Sequence, residues 1–264
     1  MTPSSKPEND FPWWLVILAV TGLWLFYEVL SDDTYRSALR TLTKGIWITL
    51  GVAVFAYIGA CLIGLGLAVM GLSKRLWLRQ LARLYIEVMR GVPIIVLLLY
   101  VAFVLVPGLV QGVNWLFGEG TLRTRDVPLL WRAVLALMLA YSAFLAEIFR
   151  AGLQAVDKGQ IEAAMALGLT PRQRFRLILF PQAFRMVLPP LGNDFVAMVK
   201  DSSLVAVLGI GDVAQLAKVT AAGNFRYFET YNVAALIYLV MTIGLSLLLR
   251  RFETRMRMRG RERV

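Results

Sequence analysis

Two aspartates lie inside an apolar run in the last third of the chain, where an ionised side chain is costly. Asp194 and Asp201 flank Met198 at positions i, i+4 and i+7, so a helix places all three on one face. Ionisable residues inside a membrane-spanning segment usually mark a functional path. A carboxylate at Asp194 can accept an ammonium group, or it can pair with a basic residue of another helix or a partner subunit.

Further polar residues in the same run, Val187 to Ile210, prevent this helix from facing lipid all round. Lys200, Asp201 and Ser202 lie near its far end, where they also fit a helix break or a gate. The residues that we predict to line a substrate path are Asn193, Asp194, Met198, Asp201 and Ser202.

Residues 151–186 are too polar to span a membrane and too regular for a loop. An alanine-rich stretch predicts a helix over Gln160 to Leu167, and Gly168 follows as its left-handed stop. Thr170 and Pro171 then fit the N-cap and the first position of a second helix.

This second helix is predicted to end near Phe180, at Pro181. It mixes apolar and basic residues, which is typical of a helix lying along lipid headgroups. A pair of short helices at the end of a bundle equally fits a docking element for a soluble partner.

The elements that position these residues are apolar runs. Hydrophobic residues make up 58% of the 264 positions and charged residues 17%, against about a quarter in soluble domains, and the mean hydropathy is +0.66. We predict an all-α membrane protein whose first run is a retained helix rather than a signal peptide. The predicted spans are Phe11 to Leu30, Gly45 to Leu72, Pro93 to Leu109, Leu129 to Arg150, Val187 to Ile210 and Asn232 to Leu249.

The net charge of +11 reflects topology. Lys and Arg cluster in 74–83, in 158–185 and in the tail after 250, which alternate with the spans as cytoplasmic segments do. Both termini are therefore expected on the cytoplasmic side. The basic tail is interpreted as an anchor near anionic lipid, and nucleic-acid binding is not expected.

Two residue counts exclude several kinds of chemistry. The chain has no histidine and one cysteine, Cys61, so an intrachain disulfide and a Cys-ligated zinc or iron–sulfur centre are excluded. No phosphate-binding Gly-x-x-x-x-Gly-Lys-Ser/Thr loop is present. We expect no catalytic residues, no metal and no cofactor. Two acid–base pairs spaced three apart, Glu147 with Arg150 and Glu87 with Arg90, are predicted to be structural ion pairs.

Four short motifs, which occur along the chain in the order typical of one protein family, carry a resemblance to that family. Glu162-Ala163-Ala164, Gly168 and Ile178-x-x-Pro181 resemble the EAA loop of permease subunits of bacterial ABC importers, with Phe180 where a leucine is usual. The segments 85–93, 146–152 and 200–204, which read YIEVMRGVP, AEIFRAG and KDSSL, resemble the polar amino acid permeases of the histidine, glutamate/glutamine, arginine and opine group. The resemblance covers about 43–253.

The resemblance implies a type I ABC importer transmembrane domain in the bacterial inner membrane, with five core helices, one extra N-terminal helix and cytoplasmic coupling helices. It divides the chain into 1–42, the cytoplasmic N-terminus and extra helix; 43–250, the transmembrane domain; and 251–264, the basic tail. Residues 160–181, called the coupling segment below, are expected to dock on separate ATPase subunits. The coupling residues are Glu162, Ala163, Ala164, Gly168, Ile178 and Pro181.

The implied partners are an ATPase homodimer that binds the ATP, a second permease subunit that is the same or a related chain, an extracytoplasmic solute-binding protein and membrane lipid. The outer segments near 111–125 and 212–230 are the ones that a binding protein would reach. Three alternatives remain: a permease for another small solute, a membrane enzyme and a non-catalytic assembly protein. An ATPase that co-purifies with the chain would separate a transporter from the last two.

Overall fold

The computed structural model describes residues 13–261, and every regular element in that part of the chain is helical. The α-helices of this part are α1 (Trp13–Ser31), α2 (Asp33–Leu42), α3 (Ile46–Gly71), α4 (Leu76–Gly91), α5 (Ile94–Tyr100), α6 (Val106–Phe117), α7 (Leu129–Gln154), α8 (Lys158–Ala166), α9 (Pro171–Arg174), α10 (Phe180–Asp201), α11 (Val213–Asn224) and α12 (Tyr227–Arg261). The predicted all-α class is confirmed.

Helices α3 and α7 form the centre of the molecule. Each has 26 residues, which is about 39 Å and enough to cross the hydrocarbon core. Their backbones approach closely, because a Cβ atom added to Gly64 would lie 2.9 Å from the Ser142 carbonyl oxygen. Buried alanines continue the contact at Ala53, Ala56 and Ala60 of α3 and at Ala133, Ala136 and Ala140 of α7.

The third predicted span is preceded by a helix that the sequence analysis took for a basic loop. This helix, α4, is amphipathic and buries Ala82 and Ile86 against α7. The Tyr85 hydroxyl, on the same helix, donates to the Leu139 carbonyl oxygen of α7 at 3.1 Å. The chain leaves α4 before Pro93, because the residue preceding a proline disfavours helical geometry. It then continues through α5, a π-helical turn over Val101–Leu105, and α6.

The prediction that the helix of the coupling segment ends at Pro181 is wrong. Helix α9, a π-helical turn over Phe175–Leu179, and α10 follow one another without a break. Pro181 lies in the first turn of α10, directly after the wider π-helical turn. Its missing N–H and its ring are best tolerated at such a position, since the regular bonding pattern is already interrupted.

The fifth predicted span is the first half of a bent pair of helices. After α10 the chain winds through a 3-10 turn, Ser202–Leu208, and bends at Gly209, whose φ of +75° favours glycine. Helix α11 follows, at 49° to the preceding helix. The segment 212–230, predicted to be an outer loop, is therefore mostly helical. Asp212 caps α11, its Oδ1 accepting the Gln215 N–H at 2.8 Å.

Helices α2, α11 and α12 form a second packed group beside the central pair. The N-terminus of α2, a helix that the sequence analysis did not predict, is capped by Asp32, whose Oδ1 accepts the Thr34 N–H at 2.6 Å. The buried side chains of this group are Tyr35, Ala38 and Leu42 of α2, Val213 and Ala217 of α11, and Val233, Ala234 and Ile237 of α12.

By length and composition, four helices of the described residues can cross a membrane, or five if the bent pair counts as one span. The four are Asp33–Gly71, Ile94–Phe117, Leu129–Gln154 and Tyr227–Thr254. They correspond to the second, third, fourth and sixth predicted spans, and the bent pair to the fifth. Helix α1 coincides with the first predicted span from Trp13 onward but is not among these candidates, and Phe11 lies outside the described residues. The tail predicted from 251 is helical to Arg261, and 262–264 lie outside the described residues.

Candidate functional site

The coupling segment begins with a short helix whose ends are both capped. At the start of α8, the Asp157 Oδ1 accepts the Gly159 N–H at 2.6 Å. At its end, Gly168 has a φ of +74°, and its N–H donates to the Met165 carbonyl oxygen at 2.9 Å. This left-handed stop is the one that the sequence predicts, although the helix runs over Lys158–Ala166 and not over Gln160 to Leu167.

The turn after α8 leads directly into the long helical path of α9 and α10. Thr170 and Gln173 form a capping box, in which the Thr170 N–H donates to Gln173 Oε1 at 2.9 Å. Pro171 stands at the first helical position. A hydrogen bond between two side chains links α8 to α10: Gln182 Nε2 donates to Gln160 Oε1 at 2.5 Å.

The predicted coupling residues point in different directions. Glu162 and Ala163 are exposed on the outer face of α8, whereas Ala164 is buried at 1% exposure. Ile178 is half-buried and lines a cavity between α8 and α9, and Pro181 is exposed. Ala164 therefore packs inside the segment, and the outer face of α8 is the part that remains accessible to a partner.

The predicted substrate-path residues do not share one open face. Met198 is fully buried in the core, and Ser202 is buried with its Oγ donating to the Val199 carbonyl oxygen at 2.8 Å. Asn193 is exposed and Asp194 is half-buried. Among residues 13–261, the Asp194 carboxylate has no hydrogen-bond or ion-pair partner, so it remains available to a group from outside this chain.

Two tyrosines that the sequence analysis did not single out contact this helix. The Tyr141 hydroxyl of α7 donates to Asp201 Oδ2 at 2.8 Å. The Tyr57 hydroxyl of α3 donates to the Leu191 carbonyl oxygen at 2.5 Å, and its ring lies 5.1 Å from that of Phe195. Each tyrosine lies inside an apolar run, and a buried hydroxyl needs a hydrogen-bond partner. That was the only signal in the sequence for these two contacts. Both central helices are thereby linked to α10.

Arg132 is a further residue that the sequence analysis missed. It lies near the start of α7 with 7% exposure, and its guanidinium donates to three backbone carbonyls, those of Val127, Ala102 and Thr124. Ala102 belongs to the π-helical turn, where the regular bonding pattern is interrupted. The sequence signal that could have identified it was an arginine inside a predicted membrane span. The side chain links the segment between α6 and α7 to the π-helical turn.

Asp212 and Val213, at the bend between α10 and α11, connect α11 to α12 and to α3. Asp212 is fully buried, caps α11 and accepts a hydrogen bond from the Tyr238 hydroxyl of α12 at 3.1 Å. The Val213 N–H donates to Thr49 Oγ1 of α3 at 3.3 Å. A Cβ atom on Gly45 would lie 2.5 Å from the Val213 nitrogen, so only glycine allows this approach.

The two predicted ion pairs have different outcomes. Arg150 pairs with Glu147 as expected, and its Nη1 also donates to Gln154 Oε1 at 3.0 Å. No ion pair joins Glu87 to Arg90, although the structure describes both residues. The Arg90 guanidinium lies 5.8 Å from the centre of the Phe144 ring, a cation–π contact that sequence spacing within α4 does not predict.

Comparisons with known proteins agree with this architecture. Residues 60–258 match the family described as "Binding-protein-dependent transport system inner membrane component". The probable amino-acid permease protein YxeN of Bacillus subtilis is 42% identical over 83% of this chain and 93% of its own length. The glutamine transport system permease protein GlnP of Escherichia coli is 34% identical over 83% of this chain and 94% of its own length.

Solved structures support the same assignment. A crystal structure of an amino acid ABC transporter with histidines has a TM-score of 0.70 and 37% identity, over 86% of this chain and 97% of that one. The MetNI methionine ABC transporter in an inward-facing conformation shares the fold with a TM-score of 0.64, at 19% identity over 81% of this chain and 95% of that one. The type I importer fold expected from the resemblance is confirmed. The chain belongs to the inner-membrane permease family of binding-protein-dependent ABC importers.

Proposed function

We propose that this permease subunit imports polar amino acids and is driven by separate ATPase subunits that dock on its coupling segment. The observation that carries the proposal is α8, a capped helix whose outer face is exposed and whose end is fixed by the left-handed Gly168. Such an element suits the transfer of a rigid-body motion, because it is stiff and accessible. Relatives named for amino acids in general, for glutamine and for arginine support the substrate class.

The ATP chemistry belongs to the partner. We infer a transporter with two ATPase subunits, two permease subunits that are copies of this chain or related chains, and an extracytoplasmic binding protein. Glu162 is the acidic residue on the outer face of α8, and we assign it the contact with a basic or N–H group of the ATPase cleft. Ala164 and Ile178 hold α8 against α9 and so keep that face in place.

The coupling segment lies on the cytoplasmic side in this proposal, as do both termini. The distribution of Lys and Arg supports this orientation, because the turn before α4, the coupling segment and the end of α12 are all rich in arginine or lysine. Cysteine labelling at position 163 from either side of sealed vesicles would test it, since Ala163 is exposed.

Asp194 is the residue that we assign to the substrate ammonium group, with a structural ion pair to the second permease subunit as the competing role. Its half-buried carboxylate lies on the same face of α10 as Asp201, which Tyr141 already occupies. A carboxylate in this setting favours a cationic group because the surroundings are apolar. A permease for another small solute remains the second candidate, and uptake of a panel of labelled solutes would distinguish it.

The coupling claim is tested with Gly168→Asp, and Gly168→Asn serves as the matched control. The backbone of either residue must adopt the left-handed conformation. Only aspartate adds a negative charge at the end of α8, where the helix dipole disfavours it. We expect Gly168→Asp to lose substrate uptake in reconstituted vesicles while the complex still hydrolyses ATP. Gly168→Asn should retain most uptake.

Co-purification decides between a transporter and an assembly protein. An ATPase subunit bound to wild-type protein, and normal uptake by Gly168→Asp, would together contradict the docking role. The failure of any ATP-binding subunit to co-purify would contradict the proposed function itself.

A further inference from the structure

A cavity of about 530 Å³ opens at the end of the bundle that carries α8. The last turn of α3, the start of α4, the end of α7 and the π-helical turn before α10 form its walls. Apolar side chains such as Met70, Leu153 and Phe175 line it, and Ser73 and Gln154 are the polar residues of the lining. Its volume falls within the range of about 300–1,000 Å³ that is usual for ligand sites.

The lengths of the helices that form its walls lead us to expect the cavity at the level of the lipid headgroups. Its lining includes the ends of the two 26-residue helices α3 and α7, which are long enough to reach the membrane surface. Trp77, the second residue of α4, is 61% exposed, and such a ring favours the interface between water and hydrocarbon. Leu76 beside it is also exposed. We therefore expect the opening to face the membrane surface and not bulk water alone.

Three basic residues are adjacent in sequence to residues of the cavity lining, and we call Lys74, Arg75 and Arg176 the basic rim. Lys74 and Arg75 follow the lining residue Ser73, and the Arg75 N–H donates to Ser73 Oγ at 3.2 Å. Arg176 follows the lining residue Phe175, and all three rim residues are exposed. The turn between α3 and α4 carries no acidic residue, so the rim is complementary to an anion.

We propose that this cavity binds an anionic phospholipid, with an acyl chain against Met70, Leu153 and Phe175 and the headgroup phosphate on the basic rim. The apolar lining suits hydrocarbon and the rim suits a phosphate oxygen, in the order that a lipid at a membrane surface presents them. The proposal rests on the proposed function in one respect: the cytoplasmic orientation of the coupling segment places the lipid in the cytoplasmic leaflet. A lipid seated there contacts the π-helical turn that joins the coupling segment to α10.

The test is native mass spectrometry of the purified full-length chain, alone or with the subunits that accompany it. The probes are phosphatidylglycerol and phosphatidylcholine with identical acyl chains. We expect phosphatidylglycerol to be retained preferentially, and Leu153→Trp, which fills the cavity, to abolish that preference. The double variant Lys74→Gln/Arg75→Gln should weaken phosphatidylglycerol binding about 30-fold, from roughly 1 kcal/mol for each basic residue near an anionic surface.

The matched control is Arg123→Gln/Arg125→Gln, which removes the same charge from exposed residues before the start of α7, whereas the cavity is lined by the end of that helix. It should leave binding unchanged. Equal retention of the two lipids by the wild type overturns the proposal, as does unchanged phosphatidylglycerol binding by the rim variant. If Leu153→Trp does not fold, the lipid binding of the rim variant alone decides the test. Because no ATP or transported solute is present, this result is independent of whether the coupling segment drives uptake.

Discussion

Replacing Arg132 by methionine is expected to loosen the segment between α6 and α7. The guanidinium donates Nη1 to the Ala102 carbonyl oxygen at 2.8 Å, Nε to that of Val127 at 2.9 Å, and Nη2 to that of Thr124. Methionine keeps much of the side-chain volume and removes all three bonds, so the change tests hydrogen bonding more than packing.

The magnitude depends on which acceptors water can reach after the substitution. The bond to Ala102 is buried, whereas those to Val127 and Thr124 are half-buried. An unpaired buried acceptor costs about 1–3 kcal/mol, and we add about 1 kcal/mol for the two acceptors that water can satisfy. The free energy of unfolding should therefore fall by about 2–4 kcal/mol, which corresponds to a decrease in Tm of about 5–15 °C for a chain of this size.

Thermal unfolding in detergent, followed by size-exclusion fluorescence, measures this decrease. Asn114→Ala is the matched control, since its side-chain amide makes two bonds of 2.9 Å to the Leu122 backbone in the same segment. The control should lose about 1 kcal/mol, because both groups at Leu122 are only half-buried. If Arg132→Met is as stable as Asn114→Ala, the argument from the buried Ala102 carbonyl is refuted.

Three further outcomes are expected. Gly45→Ala should lower the free energy of unfolding by about 1–3 kcal/mol, because its Cβ would lie 2.5 Å from the Val213 nitrogen; Gly51→Ala, with open space around it, should be neutral, and equal Tm values would contradict the close approach. Thr170→Ala removes the capping box and should cost about 0.5–2 kcal/mol, seen as faster tryptic cleavage of the coupling segment; an unchanged cleavage rate would argue against the cap. Asp194→Ala should abolish uptake while the ATPase still assembles, and unchanged substrate affinity would remove the ligand role.

The local signals of the sequence predicted the coupling segment well. Gly168, Thr170 and Pro171 each occupy the predicted position, because a left-handed stop, an N-cap and a first-turn proline depend on neighbouring backbone alone. The effect of Pro181 was predicted wrongly, since the π-helical turn before it changes which carbonyl the ring would meet. Amphipathic α4 was taken for a loop because its arginines were counted for topology and its apolar period was not.

The contacts of the candidate path could not be predicted from local patterns. Tyr141 and Asp201 are 60 positions apart, and Tyr57 and Leu191 are 134 apart. A helix-face argument places Asp194, Met198 and Asp201 together but does not say which neighbour each side chain meets. Met198, for example, is fully buried in the core, although its spacing from Asp194 predicted that it lines the substrate path.

The continuous helical path from Pro171 to Asp201 is about 46 Å long at 1.5 Å per residue. Its two softer points are the π-helical turn and the proline pair at 189 and 190, where backbone bonds are missing or widened. If an ATPase moves α8 as we propose, the displacement that reaches Asp194 is reduced by the bending of these two points. The efficiency of energy transfer in this transporter would then be set by mechanical compliance inside one helix, so sequence changes that touch neither solute nor nucleotide can still tune it.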